Sequence, residues 1–300
     1  MNKETRAGFV ALIGVPNAGK STLLNSLVGA KVSIVTHKVQ TTRVPVRGIA
    51  MAGATQIIFV DTPGIFLPKR RLDRAMVGSA WQGATDADLV ALLIDVQRGL
   101  DEENRGIVAK LQEVPQPKIL ILNKIDLIDR EKLLALTGEA NGLLRFKDTF
   151  MISATKGDGI SHVREYFAEA MPIGPWLYPE DEISDVPMRL MAAEITREKL
   201  FLRLHEELPY QSTVETDSWL ELKDGSVRIE QTIYVERDGQ KKIVLGQGGK
   251  MVKSISMDAR KEISSEIEKK VHLFLHVKVR EGWGDDPERY RGIGLEFPRE

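Results

Sequence analysis

A mostly parallel α/β domain followed by a smaller α+β domain is the architecture to which this 300-residue sequence points. Three observations carry that expectation. Across residues 9–171, short apolar runs (FVALIG, IIFVD, LVALLID, KILILN, FMIS) alternate with longer stretches of helical spacing, the pattern of parallel strands joined by crossover helices. Pro172, Pro175, Pro179 and Pro187 then crowd one segment together with the acidic run Glu180, Asp181, Glu182, too stiff and polar to continue a helix or sheet. Beyond it the order changes to a helix (Met188 to Leu208), two β-patterned runs flanking Asp224-Gly225, a Gly-rich turn, a helix (Gly249 to Lys269) and the strand VHLFLHVKV. The expected boundaries are therefore 1–173, a linker at 174–187, and 188–300 including a C-terminal tail.

Composition narrows the class. At 42% hydrophobic, 28% charged and net charge −1, the chain can bury real cores and is not disordered throughout. Its apolar runs fall far short of the ~18 residues of a membrane span, and MNKETRAGFVALIG leads into a Gly-rich loop instead of a cleavage site, so no signal peptide is expected. The absence of cysteine excludes disulfides, a thiolate zinc site and a cysteine nucleophile, which fits a reducing compartment. Residues 1–173 carry an excess of base and the remainder an excess of acid. Within that acidic remainder, Arg237, Lys241, Lys242, Lys250, Lys253, Arg260 and Lys261 form a local basic patch.

The first strand runs into Gly14-Val-Pro-Asn-Ala-Gly19-Lys20-Ser21, which matches GxxxxGK[ST] and opens a helix-like TLLNSLVG. Glycines let the backbone wrap phosphates, with the amides of Asn17, Ala18, Gly19 and Thr22 and the helix N-terminus supplying partial positive charge. Lys20 neutralises β/γ oxygens, and the Ser21 hydroxyl is a ligand for Mg²⁺. Asp61-Thr-Pro-Gly64 ends the run IIFV, so Asp61 sits at a strand's carboxyl end, positioned to hold Mg²⁺ through water, while the Gly64 N–H meets the terminal phosphate. Asn123-Lys124-Ile-Asp126 follows KILIL at another strand end. The Asp126 carboxylate can accept two hydrogen bonds from a base with adjacent N–H donors, an edge guanine has and adenine lacks. Read alone, Asp126 has a minority alternative as the N-cap of a solvated helix start. Ser153-Ala154-Thr155, after FMI, can support the base from the other side.

In this order and at strand ends, these four elements resemble the translation-factor-related P-loop GTPases, which implies hydrolysis of GTP to GDP and phosphate. Lys20, Thr42 and Gly64 are the candidates for the chemical step. The resemblance places a Mg²⁺-binding threonine within Val39-Gln40-Thr41-Thr42-Arg43. Thr42 is favoured with Thr41 close behind, the alternative being an ordinary β-prone pair. Two mobile switches are expected at residues 34–47 and 61–74. Ile65 stands where Ras-like enzymes carry a water-orienting glutamine, so catalysis must lean on backbone groups, Mg²⁺ and another cation, and turnover should be slow. Asn17 is either a ligand for that cation, K⁺, as in related cation-dependent GTPases, or a turn former.

In the second domain, Gly246-Gln247-Gly248-Gly249 opens a helix carrying Lys250 and Lys253 and follows what reads as a basic strand end at Lys241 and Lys242. Amides and lysines there can clamp a sugar-phosphate backbone. The order helix, strand, strand, helix, strand is similar to a type II KH module. Its groove is expected to include Ile243, Leu245, Val252 and Ile255, with core packing the alternative for each. As a whole the chain resembles the Era family of bacterial ribosome-assembly GTPases, within the TrmE-Era-EngA-like group. That resemblance implies binding near the 3′ end of 16S ribosomal RNA during 30S maturation, in the cytoplasm, by a monomer with peripheral inner-membrane association. The acidic second domain argues for recognition confined to the GxxG groove. Rival readings are a P-loop ATPase or kinase, and a passive RNA-binding adaptor with a structural nucleotide site.

Other features are read as structural. His272 and His276 share a strand face and are taken as surface or RNA-proximal residues, not metal ligands. Lys69, Arg70 and Arg71 read as a solvated basic face, and Trp81, Trp176, Trp219 and Trp283 as core or interface. Residues 280–300 read as a tail over the RNA groove.

Overall fold

The computed structural model describes residues 4–292 and 294–298. The chain divides into two units, Met1–Asp185 with Gly294–Glu300, and Val186–Ile293.

The first unit is a six-stranded sheet in the order β2-β3-β1-β4-β5-β6. β1 (Arg6–Ile13), β3 (Thr55–Asp61), β4 (Leu89–Asp95), β5 (Lys118–Asn123) and β6 (Thr149–Ile152) are mutually parallel. Each corresponds to one of the apolar runs. Strands buried on both faces read as continuous hydrophobic stretches, and every residue of β3 and β4 is buried. β2 (Val46–Ala52) pairs antiparallel with β3. The sequence does not announce it, because VRGIAMA is a half-exposed edge strand interrupted by Gly48, whose missing side chain admits Leu24, Val28 and Val32. α1 (Lys20–Val28), α2 (Arg71–Asp86), α3 (Glu102–Leu111), α4 (Arg130–Leu143) and α5 (Ile160–Ala170) cover the sheet. α1 stops at Gly29, which takes φ 82° and returns its N–H to the Asn25 carbonyl.

The proline-rich segment is not a free spacer. Gln56, fully buried, accepts from the Leu177 and Tyr178 amides (2.8 and 2.9 Å) and donates to the Tyr178 carbonyl (2.8 Å). Trp176 donates to the Ala54 carbonyl, the Ile49 amide to the Ile183 carbonyl, and Arg47 pairs with Asp185 at 2.8 Å. The segment is thus lashed to the β2–β3 hairpin. Its polar backbone, unable to form a strand of its own, is satisfied by a buried amide that would otherwise lack partners at a cost of about 1–3 kcal/mol.

The second unit is a three-stranded sheet, β7 (Ser212–Glu221), β8 (Val227–Val235) and β9 (Val271–Val279), with β7–β8 antiparallel and β8–β9 parallel. α6 (Met188–Arg203), α7 (Asp238–Leu245) and α8 (Lys250–Glu266) pack on it, burying Ile195, Phe201, Val244, Ile255, Ala259 and Ile263. Lys241 and Lys242, expected at a strand end, lie on α7. The Gln240 side chain caps that short helix by accepting from the Glu236 and Arg237 amides (2.9 and 3.1 Å). The order is therefore helix, strand, strand, helix, helix, strand. α9 (Pro287–Gly292) follows β9. Trp283 and Tyr290 are buried in this unit, and Arg289 stacks 4.4 Å from the Tyr234 ring. Of the expected tail, residues 294–298 belong to the first unit, where the Arg71 guanidinium lies 4.9 Å from the Phe297 ring centroid. Among the described residues, no helix is long and apolar enough to cross a membrane.

Candidate nucleotide site and RNA groove

The turn from β1 to α1 is built from residues that tolerate positive φ: Gly14 (151°), Asn17 (64°) and Gly19 (98°). A Cβ on Gly14 would sit 2.5 Å from the Leu93 carbonyl, and one on Gly19 would sit 2.1 Å from Asn123 Nδ2, so both glycines are required by close approach as well as by backbone angle. Lys20 is buried and folds back on the loop, donating to the Gly14 and Val15 carbonyls at 3.1 and 3.0 Å. Burial lowers its pKa to about 8, against the pull of Asp61. An ammonium held this way gains from the arrival of a triphosphate.

Asp61 ends β3 fully buried. Its Oδ2 accepts from the hydroxyls of Ser21 (2.6 Å), Ser33 (2.9 Å) and Thr42 (3.2 Å), and its Oδ1 is buried without a protein partner. Burial raises its pKa, opposed by Lys20 and then by the three hydroxyls. Thr42 also lies 3.0 Å from Ser21 Oγ. Thr41 turns away, bonding Thr36 and the Lys38 carbonyl. The geometry therefore separates the two threonines that the sequence leaves close together. Oxygen donors converging on a carboxylate with an orphaned oxygen fit a hard divalent cation.

Gly64 packs against the phosphate loop, where a Cβ would meet Pro16 N at 2.7 Å, and the Ile65 amide donates to the Gly14 carbonyl at 3.0 Å. Ile65 itself is part of the hydrophobic core, so its side chain has no access to an attacking water. Arg70 and Asp73, at the start of α2, reach Gln40 of the first switch at 3.4 Å each, and the buried Asp73 accepts the Lys69 and Arg70 amides. Lys69 and Arg70 are exposed, as the reading of a solvated face expects, although Arg70 also engages Gln40 and Asp73, and Arg71 is half-buried.

Asn123 joins three loops. Its Nδ2 donates to the Ala18 carbonyl (2.8 Å), and its Oδ1 accepts from the Lys124 and Ala154 amides (2.8 and 3.1 Å). Lys124, at φ 67°, pairs with Asp95 at 2.6 Å, a partner that motif reading does not supply. Asp126 stands 3.4 Å from Lys156, and the Ser153 hydroxyl, followed by Lys156, holds its carboxyl below the usual range. It lies inside a short 3-10 turn (Ile125–Leu127) and does not serve as an N-cap. Ser153 and Ala154 are buried beside it, Thr155 is exposed, and Thr22 lends its carbonyl to Ser26, whose hydroxyl also bonds the Ala154 carbonyl.

In the second unit, Gly246, Gly248 and Gly249 adopt φ 70°, 59° and 76°. A Cβ on Gly246 would collide with Met251 at 2.7 Å, whereas Gly248 and Gly249 face open space. Gln247, Lys242, Lys250 and Lys253 are exposed around this turn. On the helix that this turn opens lies a groove of about 440 Å³ between α8 and β9, lined by Val252, Lys253, Ser256, Met257 and Arg260 on one side and by residues 272–276 on the other. Of the four residues expected in this groove only Val252 lines it. Ile255 is fully buried, Leu245 packs on the core, and Ile243 is exposed on α7. His272 and His276 do face the groove, with Phe274 between them 4.8 Å from the Arg228 guanidinium. Alternation along β9 is the signal that could have found Phe274: Val271, Leu273 and Val277 are buried, so the even positions look outward.

Known proteins share both the sequence and this geometry. Residues 9–124 match the family model for a 50S ribosome-binding GTPase, and residues 207–284 match a KH domain. The GTPase Era of Rhizobium meliloti (strain 1021) is 66% identical over 295 residues, 98% of this chain and 94% of its own. That of Brucella suis biovar 1 is 64% identical, covering 98% and 95%. The chain belongs to the GTPase Era family. As an Era-family member it is a GTP-hydrolysing enzyme, which removes the ATPase, kinase and passive-adaptor readings. Two solved Era structures each superpose with a TM-score of 0.92 at 36% identity over 97% of this chain and 99% of theirs. One is in complex with MgGDPNP and nucleotides 1506–1542 of 16S ribosomal RNA, and the other is a point variant of Aquifex aeolicus Era bound to GDP·AlF4⁻.

Proposed function

We propose that this Era-family GTPase holds GTP and Mg²⁺ at the carboxyl ends of β1, β3, β5 and β6, and binds the 3′-terminal region of 16S ribosomal RNA in the α8–β9 groove. In this reading the nucleotide state governs its engagement with the small subunit during 30S assembly in the cytoplasm. On the nucleotide side, Lys20 neutralises the β/γ-phosphates, and the amides of residues 17–22 cradle them. Ser21 and Thr42 ligate Mg²⁺, Asp61 receives it through water, Gly64 contacts the γ-phosphate, and Asp126, flanked by Ser153, Ala154 and Thr155, reads guanine. The orphaned Asp61 Oδ1 supports the metal assignment.

The observation that carries the RNA half is the groove itself, which flanks the helix opened by the GxxG turn, is rimmed by Lys253 and Arg260, and contains an outward-facing Phe274. Phosphates at the turn and unstacked bases against Phe274 and the histidines are what such a surface accommodates. Binding of a labelled 16S 3′-terminal fragment to the full chain, measured across a salt series, tests this. On a single strand, each phosphate that is no longer neutralised lowers the slope of log K against log salt by roughly 0.7. The double variant K250A/K253A is therefore expected to weaken binding to all sequences alike and to flatten the slope by about 1.4. An unchanged slope would remove the GxxG lysines from the interface.

A potassium ion beside the phosphates belongs to the same proposal. The Asn17 amide donates to the His37 carbonyl at 2.9 Å, which ties the phosphate loop to the first switch, and rotation of that amide would offer its oxygen as a ligand for a monovalent cation. Because Ile65 offers no polar group, a second cation has charge to stabilise. Turnover is expected to be faster in potassium than in sodium buffer, and to lose that preference in Asn17→Ala. Equal rates in both salts would eliminate the site.

A further inference from the structure

We infer that Ser33, a residue in none of the nucleotide motifs, is a positioning residue for the Mg²⁺-holding carboxylate Asp61. The inference rests on the metal assignment proposed above. Three hydroxyls donate to Asp61 Oδ2. Two belong to groups that the nucleotide and its metal recruit: Ser21 opens α1 under the phosphates, and Thr42 sits in a switch that lets go when the γ-phosphate leaves. Ser33 is different in how it is held. Asn25, on α1, accepts from the Val32 and Ser33 amides (2.9 and 3.0 Å) and donates to the Ser33 carbonyl (2.8 Å). Val32 is buried in the core and Ser33 is only 2% exposed. Ser33 is thereby bolted to the same helix that carries Lys20 and Ser21, just before the mobile stretch begins.

The consequence follows from the geometry of a carboxylate. Fixing Oδ2 by a donor that does not move with the nucleotide fixes the rotation of the group, and so the direction in which Oδ1, buried and unpartnered, presents its lone pairs. With Thr42 withdrawn in the GDP state, Ser33 and Ser21 alone keep Asp61 aimed. Ser33 therefore governs how well the site retains Mg²⁺ after hydrolysis, and through it how long GDP stays. Partners that orient a direct ligand carry about 10–100-fold in metal affinity, and a single neutral hydroxyl that orients a carboxylate acting through water carries about tenfold at most.

The test is release of a fluorescent GDP analogue from the full chain as a function of free Mg²⁺. Ser33→Ala is expected to move the Mg²⁺ midpoint up severalfold, by about tenfold at most, with release at saturating Mg²⁺ within about twofold of the parent. Ser33→Cys, similar in volume but a weak donor, should behave like the alanine variant, and Ser33→Thr, which keeps the hydroxyl, should return the midpoint towards the parent. Unchanged midpoints in both the Ala and Cys variants would overturn the assignment. So would release accelerated equally at every Mg²⁺ concentration, which is the mark of a site merely loosened. If release from the parent itself ignored Mg²⁺, the metal reading of Asp61 would fail first, and the two failures are distinguishable in one titration.

Discussion

Asp126→Asn is expected to turn this enzyme from a guanine to a xanthine nucleotide binder. In the structure the Asp126 carboxylate is held ionised by Ser153 and Lys156 at the end of the Asn123-Lys124-Ile125-Asp126 turn. An ionised carboxylate offers two acceptor oxygens, matching the N1–H and N2–H₂ donors of guanine. An asparagine offers one acceptor and one donor, so the guanine amine faces another amine, and both lose their partner on leaving water. One charge-assisted bond is replaced by an amine–amine conflict and the other keeps its geometry but loses its charge, a combined loss of about two to three orders of magnitude for GTP. Xanthine carries a carbonyl in place of that amine and accepts from the new side chain, so XTP binding should rise as GTP binding falls. For folding, the variant gives up only a solvent-screened ion pair to a Lys156 that is 60% exposed, and such pairs add little to stability. Its melting temperature should therefore stay near that of the parent. Competition of GTP, XTP and ATP for a fluorescent nucleotide checks the outcome. A variant that kept its preference for GTP over XTP would remove Asp126 from base recognition.

The parts of this molecule that were legible in sequence are those where local chemistry and global fold demand the same residues. β1, β3, β4 and β5 are buried on both faces and must read as apolar runs, and β1, β3 and β5 each deliver a motif at the carboxyl end because that is where parallel strands leave backbone groups free. What escaped is long-range. Ser33 and Asn25 look like ordinary polar residues until α1 brings them to Asp61. Asp95 gains its meaning only through Lys124, and Gln56 only through the proline-rich segment it holds. β2 escaped because an edge strand with one wet face carries a weak pattern. In the second unit the element that differs from expectation is α7: eight residues are too few for a helical period to stand out, so its lysines read as a strand end. The groove between α8 and β9 is nonetheless marked by the alternation of VHLFLHVKV, whose polar and aromatic residues share the outward face.

Gly19→Ala is expected to disable nucleotide binding without any change of charge in the phosphate loop. The added methyl would lie 2.1 Å from Asn123 Nδ2, and alanine would have to hold φ 98°, a conformation that L side chains rarely adopt. Asn123 cannot retreat cheaply, since its one amide ties Ala18 of the phosphate loop, Lys124 of the base-reading turn and Ala154 of the loop after β6. Moving it breaks three hydrogen bonds in a buried position, adding to backbone strain of about 1–3 kcal/mol, for roughly 3–5 kcal/mol in all. Calorimetric titration should register this as a loss of two to three orders of magnitude in affinity for both GDP and GTP, while the melting transition of the second unit's KH fold remains. The paired variant G19A/N123A separates the two causes. It relieves the collision but keeps the strained φ and leaves the three loops untied. Its affinity should thus fall little below that of Gly19→Ala alone, a non-additivity expected of residues in contact. If Gly19→Ala bound nucleotide within tenfold of the parent, the close approach of Asn123 would not be what organises the site. If the paired variant were far weaker than either single change, Gly19 and Asn123 would be acting independently, contrary to the joining role of Asn123.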